Sequence, residues 1–80
     1  MDNQLYQKYL HQYVRQAVQQ SNGSIADIYD NLGQIRVGGW MTPHKEEKKR
    51  ALQDALQAFG EHRHWPLDII LSHLGVEIQK

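Results

Sequence analysis

The apolar residues of this chain nearly repeat after 42 positions, and both copies carry the period of an α-helix. Tyr9, Leu10, Tyr13, Val14 and Ala17 precede Ile25, Ile28, Tyr29, Leu32 and Gly33. In the same register stand Ala51, Leu52, Ala55, Leu56 and Phe59, then Leu67, Ile70, Leu71, Leu74 and Gly75. Each half reads as a long amphipathic helix, a break, a short amphipathic helix and a glycine stop. Only Leu10/Leu52, Ile28/Ile70, Leu32/Leu74 and Gly33/Gly75 are identical pairs. Internal duplication and plain helical periodicity both account for the pattern, and the helices follow under either. The spacing predicts an all-α fold of four helices, two long and two short. The long pair packs stripe to stripe and the short ones close the ends.

Eighty residues make one domain, 1–80, with halves 1–37 and 42–80 meeting at Gly38-Gly39. A domain this small buries only about 60% of the surface its unfolded chain exposes, so self-association is a common remedy. Without cysteine it has neither a disulfide framework nor a thiolate metal site. Nine basic residues balance nine acidic ones, so no global field draws in nucleic acid or an anionic membrane. His11, His44, His62, His64 and His73 make the net charge climb just below neutral pH. The N-terminal Met1-Asp2-Asn3-Gln4 has no signal-peptide character. The longest apolar run is Ile69-Ile70-Leu71, against the roughly 20 residues a membrane span needs. The expectation is a soluble, cytoplasmic protein with no membrane partner, of a size and simplicity that suit bacteria or phage.

Asp2 is placed to cap a first helix that runs to about Gln20 and ends at Ser21-Asn22-Gly23. Its polar face is rich in glutamine: Gln4, Gln7, Gln12, Gln16 and Gln19. Ser24 with Asp27 forms a capping-box-like start for a second helix, which Gly33 should close. Gln34-Ile35-Arg36-Val37 alternates as a short strand does, and Val76-Glu77-Ile78 is a stub with which Ile35-Arg36-Val37 could pair. Thr42-Pro43 is a strong helix start, with Glu46 and Glu47 favourable to the helix dipole and Gly60 as the stop after Phe59. Trp65-Pro66 restarts the chain for a last helix ending at Gly75.

Leu67, Ile70, Leu71, Leu74, Gly75 and Val76 resemble the first helix and turn of the helix-turn-helix family, in which a short apolar helix ends in Leu-Gly-Val. Ile25 to Gly33 echoes the same pattern. The resemblance implies a DNA-reading helix a few residues further on. Neither copy supplies one: five residues follow Gly75, and a strand-like stretch with a Gly-Gly break follows Gly33.

Several groups of residues are candidates for function. Lys45, Lys48, Lys49 and Arg50, with Arg63 beyond them, could follow a phosphate backbone. Glu46 and Glu47 are interleaved with them, and pairs such as Glu46 with Lys49 or Arg50 make a solvated face the blander reading. His62, His64 and His73 offer imidazoles, but their spacing is not that of a zinc site, so no metal or cofactor is expected. No phosphate loop, nucleophile elbow or paired-acid motif is present, which argues against an enzyme. Tyr6, Tyr13, Trp40 and Trp65 are the candidate partner-binding residues, since Tyr and Trp dominate interface hot spots. The Tyr residues of the first helix also fit a core role, and Trp40 either plugs the junction of the halves or waits for a partner. The function expected is a non-enzymatic protein-interaction or regulatory module, its partner another protein or a second copy. The alternative is a nucleic-acid-binding accessory using the Lys45–Arg50 face.

Overall fold

The computed structural model describes residues 2–77. Four helices follow in order: α1 (Asn3–Gln20), α2 (Ile25–Gln34), α3 (Lys45–Glu61) and α4 (Leu67–Leu74). Long, short, long, short is the alternation that the apolar spacing predicts. The long pair, α1 and α3, forms the largest interface, α2 lies against both, and α4 packs on α3.

The deepest positions of each stripe are buried. From α1 come Tyr9, Leu10, Tyr13, Val14 and Ala17; from α2, Ile28 and Leu32; from α3, Ala51, Leu52, Ala55, Ala58 and Phe59; from α4, Ile70. Ile25, Leu56, Leu67, Leu71 and Leu74, by contrast, are only half-buried and Tyr29 is exposed. Phe59, Leu10, Ile28, Leu32, Ile70 and Val14 are the largest fully buried side chains. At about 1.5–3 kcal/mol for each large aliphatic or aromatic side chain, they dominate the stability of so short a chain. No polar or charged side chain is buried among the described residues. Ala17 of α1 and Ala51 and Ala55 of α3 are fully buried.

Several ends are fixed as the local sequence predicts. Asp2 Oδ1 accepts from the Gln4 and Leu5 amides at 2.9 and 3.4 Å, which caps α1. Ser24 Oγ accepts from the Asp27 amide at 3.4 Å and opens α2. Gly75 closes α4 in the left-handed conformation, φ 72°.

Three other ends differ, and packing explains those at Gly60 and Thr42. Gly33 does not stop α2, which runs on to Gln34, and Gly60 lies inside α3. Neither adopts a positive φ, and without one a glycine is only a weak link in a helix. Gly60 serves packing instead: a Cβ there would stand 3.1 Å from the Tyr29 ring, so its bare backbone lets α2 approach. The start of α3 also moves. The expected cap, Thr42, lies outside the helix, and His44 takes the N-cap position at φ 58° without a side-chain cap bond. Thr42 packs its side chain against Gly38 rather than over the first turn.

The strand pairing is not seen among the described residues, none of which is assigned to a strand. Ile35 is extended (φ −71°, ψ 133°) but has no ladder partner. Val76 is instead part of the end of α4: its amide donates to the Leu71 carbonyl at 2.9 Å and its side chain is buried. Ile78 lies outside the described residues. The 42-residue recurrence thus aligns helix with helix but not end with end, since Gly33 is helical where Gly75 is a cap. No helix among the described residues is long and apolar enough to cross a membrane.

Candidate functional site

The segment between α2 and α3 brings two large apolar side chains to the surface. Gly38 at φ 106° turns the chain, and the Thr42 amide donates to the Gly39 carbonyl at 3.0 Å. Trp40 and Met41 are the two central residues of that turn. A Cβ on Gly38 would collide with the Thr42 hydroxyl, so glycine is required there on grounds of both space and backbone angle. Trp40 is 83% exposed and Met41 75%. Trp40 therefore does not plug the junction of the halves, which α1 and α3 fill themselves.

The other aromatic candidates are already engaged. Tyr13 is buried, 6% exposed, and stacks on Tyr9 with ring centroids 6.2 Å apart. Burial and then the neighbouring Tyr9 charge push the Tyr13 phenol above its ordinary range. Tyr6 is half-buried, and its hydroxyl donates to Asp54 Oδ2, tying α1 to α3. Burial first, then that hydrogen bond and the Asp54 charge, raise the Tyr6 phenol to about 12; Arg50 acts in the opposite sense. Trp65 is half-buried and stacks face to face on His62 at 3.7 Å, with the His73 ring edge-on at 5.7 Å. Of the four candidates, Trp40 alone is presented to solvent.

Lys45, Lys48, Lys49 and Arg50 share the first turns of α3, and Arg63 lies apart from them. The Arg50 guanidinium lies 3.7 Å from Asp54, the single ion pair among the described residues, and neither Glu46 nor Glu47 is its partner. Lys48 is half-buried with its ammonium 5.2 Å from the Tyr9 ring centroid. Lys45 is half-buried and Lys49 exposed at the start of α3, whereas Arg63 follows the end of that 17-residue helix, roughly 25 Å away at 1.5 Å per residue. There Arg63 borders an open groove of about 590 Å³ floored by Ile25, Tyr29 and Phe59.

His62 and His73 meet edge to face at 5.2 Å, and His64 stands edge-on to Trp65 at 6.5 Å. No group of three or more His, Cys, Asp or Glu with metal-binding geometry occurs among the described residues. The stacking partner of these imidazoles is Trp65.

Two features escaped the sequence. Met41 had a signal, its place beside Trp40 after Gly-Gly. The second is an open groove of about 540 Å³ between the glutamine face of α1 and residues Gln34 to Val37. No motif announces it, because its walls come from α1, α2, the following segment and α3.

Comparisons of the chain with protein-family models, with curated proteins and with solved structures find no match.

Proposed function

We propose that this chain is a non-enzymatic interaction module whose contact point is the Trp40–Met41 turn. What carries the reading is the exposure of two adjacent large apolar side chains on a turn that Gly38 and Thr42 hold in place. A tryptophan offers about 150–250 Å² of surface and costs little side-chain entropy to immobilise. Such residues anchor the centre of protein interfaces, where truncation costs about 2 kcal/mol or more. The turn lies in the connection between α2 and α3, which pack against each other.

The test compares wild type with Trp40→Ala as bait for nuclease-treated lysate of the source organism. Because Trp40 is 83% exposed, the substitution should leave unfolding within about 0.5 kcal/mol of wild type. Loss of a retained protein, with stability unchanged, is the expected outcome. Unchanged capture by the variant refutes the turn as anchor. Material held only before nuclease treatment transfers the case to nucleic acid and to Lys45, Lys49 and Arg63.

A further inference from the structure

We infer that the groove between α1 and the 35–37 segment binds an extended acidic peptide, which pairs with that segment as an added strand. The inference rests on the interaction-module reading and names the chemistry of the partner. Its first support is a row of unpaired backbone. Among the described residues no backbone hydrogen bond reaches Arg36, Val37 or Gly38, by donation or acceptance. Ile35 is extended and Val37 is half-buried toward the core, so the sequence alternates as a strand does but has no sheet. The N–H and C=O groups of Arg36 and Val37, between extended Ile35 and the turn at Gly38, offer a template for strand addition.

Spacing is the second support. Gln12, Gln16 and Gln20 are exposed along the opposite wall, one helical turn apart. Their rise, about 6 Å per four residues, is close to the roughly 6.7 Å between alternate residues of an extended chain. Each amide both donates and accepts, so the row can meet successive backbone groups on the far edge of a peptide strand. Charge is the third support and sets the partner's sign. The groove is lined by Arg36 and Lys48 and by no carboxylate, in a chain with equal numbers of acids and bases. Among the described residues neither cation has a carboxylate within ion-pairing distance. The segment leads through Gly38 into the Trp40–Met41 turn, so backbone pairing and the apolar anchor would serve one ligand.

The probe is a labelled eight-residue peptide alternating glutamate and valine, followed by fluorescence anisotropy. Two controls have the same length: lysine in place of glutamate, and the glutamate peptide N-methylated at every second residue. The glutamate peptide should bind at least tenfold more tightly than either control. Arg36→Glu, an exposed substitution whose fold is checked by circular dichroism, should weaken it at least tenfold. Equal binding of the N-methylated peptide overturns strand addition. Equal binding of the lysine peptide, indifference to Arg36→Glu, or full displacement by millimolar inorganic phosphate overturns the acidic-peptide assignment. Trp40-dependent capture from lysate together with no peptide binding removes the groove and leaves the interaction module standing.

Discussion

Tyr6→Phe removes one oxygen atom and tests the clasp between the two long helices. In the native fold the Tyr6 hydroxyl donates to Asp54, 48 residues away, and the phenol is pushed up to about 12 from its ordinary 10. A raised value means that the folded state holds the proton more tightly than the unfolded chain. Burial is the larger cause of the rise and the Asp54 bond the second, so the stability that depends on the neutral phenol, the clasp included, is complete below pH 10 and is lost as the pH climbs from 10 to about 12. Two pH units correspond to at most about 2.7 kcal/mol. Tyr6 keeps partial contact with water, which screens the effect, and about 1 kcal/mol is the figure to expect. Asp54 retains Arg50 at 3.7 Å, so the variant leaves no orphaned carboxylate to add a further cost. For a domain of this size about 1 kcal/mol moves Tm by roughly 4–8 °C. Urea unfolding of both proteins, followed by circular dichroism between about pH 8 and pH 12, gives the difference at each pH. Other titrating groups are shared and cancel in it. The gap should be constant up to about pH 10 and then close. A gap that stays flat to about pH 12, or no gap at neutrality, refutes the clasp.

Two further substitutions check the packing. Phe59→Ala empties a fully buried site and should cost about 3–5 kcal/mol, a large share of the roughly 4–12 kcal/mol expected for a domain of this length; thermal unfolding should show a much lower and broader transition. Gly33→Ala places a methyl where nothing lies within 4 Å, inside α2, and should raise stability by about 0.5–1 kcal/mol in urea titration; a loss would show that Gly33 has a packing role after all.

What was legible in the sequence was local. The apolar period selected the buried residues of α1 correctly, from Tyr9 to Ala17, and Asp2, Ser24 and Gly75 ended helices through bonds within a few residues. What was not legible depended on distant partners. Gly60 reads as a stop until the Tyr29 ring is seen against it, and Thr42 reads as a cap until its side chain is seen against Gly38. The site followed the same division. Trp40 stood out by its position after two glycines, but its 83% exposure is set by helices that fill the core without it. The glutamines of α1 are consistent with a partner surface from the sequence, but Arg36 and Lys48 join them through the fold alone.

The buried alanines of α1 and α3 also constrain how such a protein can change. Ala17, Ala51 and Ala55 are fully buried, so a larger side chain would have to displace packed neighbours, and trimming them to glycine would cost about 1 kcal/mol each in helix propensity. These positions are thus costly to change in either direction. New binding preferences have to be written on the glutamine face and on the segment that carries Arg36 and Trp40. Gln12, Gln16, Gln20, Arg36 and Trp40 are exposed there and open to exchange, whereas Gly38 and Val37 between them are held by the fold.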